Sequence, residues 1–249
     1  MPIPADFTPH ARLLAGRLIL VTGASSGLGR ALAIECARAG ATVILSGRNQ
    51  AKLERVYDAI ETLGGPRPAI AVLDLEKATA VDYDGLADVV GTEFGRLDGL
   101  VHSAALLGER TPLEQYDVPT WCRILHVNLT APFILTQVLL RHLRKSADAS
   151  VIFVSSGVVA NPRPYWGAYA VAKSGLETVR NMLSQELEIE PDIRVNSINP
   201  GRMRTRMRAA AYPAEDPNTL PAPDTVAAPF LYVLSALGRG INGRYIDAQ

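Results

Sequence analysis

Short apolar runs alternate with longer amphipathic stretches along the chain. Runs of strand length occupy Leu18–Thr22, Thr42–Leu45, Ala69–Leu73, Gly99–His102, Val151–Val154, Ile193–Ile198 and Arg244–Asp247. They are rich in Val, Ile and Leu, and continuous rather than alternating, as strands covered on both faces are. Stretches with helical patterning lie between them, at about 27–39, 49–63, 79–95, 119–145, 167–189 and 224–237. Such alternation predicts right-handed βαβ units, hence an α/β fold: a doubly wound parallel sheet of about seven strands with helices on both faces. The one irregular region, about 200–223, holds four prolines in RMRTRMRAAAYPAEDPNTLPAPD. A loop that long in a compact domain is usually functional, and it is predicted to be a substrate lid over 202–223.

Composition narrows the picture by exclusion. A chain of 249 residues suits a single domain spanning 1–249, large enough to bury a core without disulfide or metal staples. Its 25 basic and 25 acidic residues cancel, which argues against a whole-protein nucleic-acid binder. No apolar run approaches the roughly 18 residues of a membrane helix, so no membrane association is expected. The first 16 residues carry three prolines and no long apolar core, so a signal peptide is not expected. Cys36 and Cys122 fit no CxxC spacing and read as reduced thiols of a cytoplasmic protein, with Cys122 beside Trp121 as helix packing. His10, His102, His126 and His142 have no metal-ligand spacing.

Two places carry candidate chemistry. The first apolar run leads directly into Thr22-Gly23-Ala24-Ser25-Ser26-Gly27-Leu28-Gly29 and then a helix. Glycines there permit a tight turn and close backbone approach to a pyrophosphate, and the helix points unpaired N–H groups at it. The spacing is G-x-x-x-G-x-G, and strand–Gly–helix turns can also be purely structural. The second run ends in Gly47-Arg48, where an acid would accept the ribose hydroxyl of NAD; an arginine there suits a 2′-phosphate, or else a solvated helix start. Asp74, closing the third run, could bond an adenine amino group or cap the next helix.

The second place is Tyr169-Ala170-Val171-Ala172-Lys173, which sets a phenol and an ammonium one helical turn apart on one face. It follows a buried strand ending in Ser155-Ser156, and Ser156 lies 13 residues before Tyr169.

Here the sequence resembles the short-chain dehydrogenase/reductase superfamily over nearly its whole length. The glycine turn resembles the family's TGxxxGxG, Tyr169 and Lys173 its YxxxK, and Ser156 its catalytic serine. Val127-Asn128 resembles its helix asparagine, and Asn199-Pro200-Gly201 with Thr205 its nicotinamide-side PGxxxT. A narrower likeness, to YciK-like bacterial oxidoreductases, lies in Leu106-Leu107-Gly108, Trp166-Gly167-Ala168-Tyr169, Met207-Arg208-Ala209, Glu215-Asp216-Pro217 and Asp247-Ala248-Gln249. One departure is His102-Ser103-Ala104-Ala105 in place of the family's NNAG, which puts cofactor affinity in question.

The resemblance implies a Rossmann-type sheet and an NADP-dependent oxidoreductase acting on a ketone, aldehyde or secondary alcohol. Asn128, Ser156, Tyr169 and Lys173 are its implied catalytic residues, with Asn128 holding a water that links Lys173 to solvent and Lys173 lowering the phenol's pKa. NADP(H) is implied to meet Gly23, Ser25, Ser26, Gly27, Leu28, Gly29, Arg48, Asp74, Leu75, Ala104, Tyr169, Lys173, Pro200, Gly201, Met203 and Thr205. A homodimer or homotetramer is implied as well. The alternatives are a 3-oxoacyl-thioester reductase, which the basic run Arg202, Arg204, Arg206 and Arg208 would allow, and a non-catalytic NADP-binding sensor. By itself that run reads rather as a solvated loop face than as an anion site. Tyr165 and Trp166 could wall a substrate pocket, pack internally or make a subunit contact.

Overall fold

The computed structural model describes residues 3–4, 6–190 and 192–249. Seven strands among them form one parallel sheet, ordered β3-β2-β1-β4-β5-β6-β7. They are β1 (Leu18–Thr22), β2 (Thr42–Gly47), β3 (Ala69–Val72), β4 (Gly99–His102), β5 (Ala149–Val154), β6 (Ile193–Asn199) and β7 (Tyr245–Asp247). Helices α1 (Gly27–Arg38), α2 (Gln50–Thr62) and α8 (Ala228–Leu234) cover one face, and α3 (Ala80–Glu93), α5 (Ala131–Leu143) and α6 (Gly167–Glu186) the other.

Each apolar run divides by parity between the two layers. Ile19, Val21, Val43, Leu45, Val101, Ile152 and Ile198 pack with α1, α2 and α8. Leu18, Leu20, Ile44, Leu100, Val151, Phe153 and Val195 pack with α3, α5 and α6. A strand with helices on both sides has no polar face to alternate with, which is why the runs are continuous. Local signals set helix starts. Asn49 Oδ1 accepts from Lys52 N at 3.0 Å before α2, and the Asp82 carboxylate accepts from Thr79 N at 2.7 Å before α3.

Three predicted elements differ from the observed ones. The stretch expected as one helix over 119–145 comprises α4 (Val118–Leu125), a π-helical turn at His126–Thr130, and α5. Pro132 has no N–H to return to the Asn128 carbonyl, so the α-helical ladder breaks there. Contrary to expectation, the composite stretch Val118–Leu143 is long and apolar enough to span a membrane by length and composition, with mean hydropathy 1.3 over 18 residues and 44% of that window buried. Val127, Ala131, Leu135, Leu139 and Leu143 pack in the second core layer. The helix expected over 224–237 is a 3-10 turn (Pro223–Val226), α8 and a second 3-10 turn (Ala236–Gly238). Pro229 fits only a helix's first turn, and Ser235 ends α8 with extended backbone, φ −92° and ψ 173°. The region expected to be irregular contains α7 (Arg206–Ala211), started by Thr205 Oγ1 accepting from Arg208 N at 3.1 Å.

At the amino ends of the strands the Asp148 carboxylate collects three guanidinium groups. Arg17 donates to it, Arg194 Nη2 does so at 3.0 Å, and Arg239 Nε lies at 3.5 Å. Arg194 also donates through Nη1 to the carbonyls of Val233 at 2.7 Å and Gly238 at 3.0 Å. The cluster ties β1, β5 and β6 to the segment around α8.

Candidate active site

A cleft of about 1290 Å³ opens at the carboxyl ends of the strands, across the point between β1 and β4 where strand order reverses. Ligands of doubly wound sheets bind at such a switch point. The glycine turn forms its floor. Ser26 sits at the N-cap of α1 with extended backbone, but its side chain does not cap the helix, and the first turn of α1 carries no acid. Unpaired N–H groups therefore face the cleft, which suits a phosphate. A Cβ on Gly29 would lie 2.4 Å from the Gly23 carbonyl oxygen, so only glycine lets the helix sit this close to the turn. Thr22 Oγ1 accepts from the N–H of both Ser103 and Ala104 at 3.1 Å, which fixes the altered His102–Ala105 turn against it. Ser25, Gly27, Leu28 and Ala105 also line the cleft.

At one end of the cleft, beyond β2 and β3, stand Gly47, Arg48, Asp74 and Leu75. Arg48 is largely exposed, and its Nη1 lies 3.4 Å from Glu76 Oε2. Asp74 Oδ1 accepts from Glu76 N at 3.2 Å, and the Asp74 carbonyl accepts from Lys77 N and Ala78 N, so Asp74 organises its own turn. Lys52 and Arg55 of α2 line the same end and had no distinguishing spacing in the sequence.

The other end holds the titratable groups. Tyr169 and Lys173, on the first turns of α6, are both buried, with the Lys173 Nζ 5.9 Å from the Tyr169 ring centroid. Lys173 donates to the Val154 carbonyl at the end of β5 at 2.7 Å, and burial lowers its pKa to about 8 against a smaller opposite pull from Glu177. Burial pushes the Tyr169 phenol above its ordinary value, opposed by a hydrogen bond with Ser156. In the free site desolvation thus outweighs that hydrogen bond. Ser156 follows β5 and lines the cleft. Asn128 is buried in the π-helical turn, but its carboxamide is committed to the Leu106 backbone: Oδ1 accepts from Leu106 N at 2.8 Å and Nδ2 donates to Leu106 O at 2.7 Å. That engagement makes the side chain a clamp on the loop after β4. His102 is stacked on Phe153 and paired through Nε2 with Thr136 Oγ1 at 2.8 Å. Burial, with Lys173 nearby, lowers its pKa to about 3.

Segment 202–223 crosses this end. Pro200, Gly201, Met203 and Thr205 line the cleft, with Met203 buried in the first core layer and Thr205 beside Gly27. Trp166, Tyr169, Val158 and Ala211 form an apolar cluster with Leu107, Met207 and Tyr212. Arg110 locks it: its guanidinium lies 5.1 Å from the Trp166 ring centroid and 5.2 Å from that of Tyr212, and it donates to the Ala211 carbonyl. Arg202, Arg204 and Arg206 are exposed, whereas Arg208 is paired with Glu215 at 2.6 and 2.7 Å and stacked 3.7 Å from Tyr212. So only part of the basic run is a solvated face. Tyr165 is exposed, with a left-handed φ of 72°, while Trp166 is buried and lines the cleft. Cys122 is exposed rather than packed. Arg110 and Tyr212 were not legible as site residues, because they meet across a span of about a hundred residues with no local motif at either end.

The short chain dehydrogenase family model matches residues 17–216. The curated "Uncharacterized oxidoreductase YciK" of Escherichia coli (strain K12) is 42% identical over 98% of this chain and 96% of its own length. A solved short chain dehydrogenase of Pseudomonas syringae is 48% identical and superposes with a TM-score of 0.96, covering 98% of this chain and 99% of that one. One from Escherichia coli CFT073, complexed with NADPH, is 43% identical with a TM-score of 0.94 over 97% of this chain and 100% of that one. The sheet order, the glycine turn and these similarities agree: the chain belongs to the short chain dehydrogenase family and is an oxidoreductase similar to YciK.

Proposed function

We propose that the chain is an NADP-dependent reductase or dehydrogenase that interconverts a ketone or aldehyde and an alcohol, with Tyr169 as general acid/base. The observation that carries this reading is the buried Tyr169–Lys173 pair, one helical turn apart at one end of the cleft beside Ser156. The cradle fits a dinucleotide: α1 presents an uncapped N-terminus, and the β2 end offers Arg48 instead of an acid, which favours a 2′-phosphate. The residues that would hold it are those of the glycine turn, Arg48, Asp74, Leu75, Ala104, Pro200, Gly201, Met203 and Thr205. When bound, NADPH supplies the hydride that reduces the carbonyl carbon.

The chain's own residues do the rest. The Ser156 hydroxyl donates to the carbonyl oxygen and stabilises the charge developing there. Tyr169 delivers a proton to the same oxygen. The Lys173 ammonium favours the phenolate left behind, working against the burial that pushes the phenol up. Asn128 holds Leu106, and with it the loop beside the site. The segment 202–223 serves as a lid, and the Val158–Trp166–Met207–Tyr212 wall suits a substrate with an apolar body. We place the protein in the cytoplasm, as a homodimer or homotetramer.

Tyr169→Phe tests the reading. Turnover of a responsive carbonyl should fall by about a thousandfold, the scale of general-acid catalysis, while NADPH affinity stays within about twofold. Unchanged turnover in that variant would overturn it. So would a wild-type protein that binds NADPH but oxidises it with no member of a panel of aldehydes, ketones, quinones and 3-oxoacyl thioesters, an outcome that favours a sensor.

A further inference from the structure

The segment after β6 is held by a residue outside the glycine-turn, Tyr–Lys and Pro-Gly motifs, in the terminal Asp247-Ala248-Gln249 stretch. Gln249 Nε2 donates to the carbonyl of Pro200 at 2.9 Å and to that of Arg202 at 2.8 Å, bridging the turn between them. The residue inside the bridge is Gly201, with φ +73°, and a Cβ there would lie 2.6 Å from Gln249 Cδ. The carboxamide therefore lies flat over a glycine that no other residue can replace without displacing it. Two further bonds hold the 247–249 segment in place: Asn199 Nδ2 donates to Asp247 Oδ1 at 2.8 Å, and Ala248 N donates to the Asn199 carbonyl at 2.9 Å. From Gly201 the chain runs directly to Met203 and Thr205, which line the cleft at the Tyr169 end.

We infer that Gln249 is a positioning residue for the nicotinamide half of the cofactor: its amide fixes the Pro200–Arg202 turn, so that this wall of the cleft is already formed when the dinucleotide arrives. This rests on the reading of the cleft as an NADP site. The chemistry asks for an amide, because one nitrogen must donate to two carbonyl oxygens at once. A carboxylate of the same shape would set an acceptor against two acceptors. Gln249 is exposed, so its replacement leaves the core intact.

The test uses the full-length Gln249→Glu and Gln249→Ala variants, titrated with NADPH and separately with adenosine 2′,5′-bisphosphate, which represents the adenine half alone. Both variants should bind NADPH about tenfold more weakly, the loss expected when hydrogen bonds that preorganise a site are removed. Both should bind the bisphosphate within about twofold of wild type and melt at the wild-type temperature. Unchanged NADPH affinity in both variants would overturn the inference. So would equal weakening toward the two ligands, because Gln249 would then act on the whole cleft. A wild-type protein that binds neither ligand would instead refute the NADP reading itself.

Discussion

Lys173 is buried, yet its role asks it to be charged, and this tension can be measured. Its pKa in the folded chain is lowered to about 8 from an ordinary 10.5. Between those values the unfolded chain holds a proton that the folded chain has released, so stability rises with pH across that window. Compared with Lys173→Met, the wild type should gain up to about 1.4 kcal/mol per pH unit there, read from denaturant unfolding at pH 7.5, 9 and 10. Parallel curves for the two proteins would contradict the buried ammonium. His102 behaves in the same sense at acid pH. Its folded value of about 3 lies below the ordinary 6.5, so the stability it confers as a neutral ring is lost as pH falls between them. His102→Gln should flatten the acid side of the stability profile, by up to about 1.4 kcal/mol per pH unit in that range. At this scale the sequence was informative wherever chemistry is written in consecutive residues. Tyr169 and Lys173 share one helix, and the glycine turn is a single stretch. Contacts such as Arg110 with Ala211, or Gln249 with Pro200, join residues remote in the chain and have no local spacing. The Asn128 clamp was hidden for the same reason: the residue was visible, but its partner Leu106 was not.

Among the elements, the sheet and most helices were legible, because burial on both faces imposes continuous apolar runs on every strand. What escaped was where helices stop or change pitch. Pro132 breaks the ladder inside a stretch that reads as helical throughout, and Ser235 ends α8 with extended backbone while its hydroxyl donates to the Tyr232 carbonyl and accepts from Leu237 N. The lid was read as irregular from its prolines, although the six residues of α7 fit before the first of them, Pro213. Its attachment makes a prediction of its own. Arg110 joins α7 to Trp166 through one hydrogen bond and two cation–π contacts. Arg110→Ala should loosen the lid and raise KM for the carbonyl substrate by about tenfold, from the combined worth of such contacts, with NADPH affinity unchanged. A parallel loss of NADPH affinity would show that Arg110 supports the cleft as a whole.

The whole molecule leaves apolar side chains in the open on the α4–α6 side. Phe133, Val171 and Met182 are 48%, 47% and 55% exposed, and Val171 and Met182 fall on one stripe of α6. A copy of the same chain laid over them would cover that surface, so light scattering should report a dimer or tetramer, and Val171→Glu should shift it toward monomer. A monomeric wild type would contradict the proposal. Stability has its own centre, at the far end of the strands. Asp148→Asn would leave Arg194 buried beside a neutral amide and should cost about 3–5 kcal/mol of unfolding free energy, with kcat unchanged. Chemistry at the carboxyl ends and this ion cluster at the amino ends share the same seven strands without sharing residues. Descendants of such a chain can therefore exchange one substrate for another by redrawing the lid and its wall. The anchorage that keeps the sheet folded survives each of those experiments in evolution untouched.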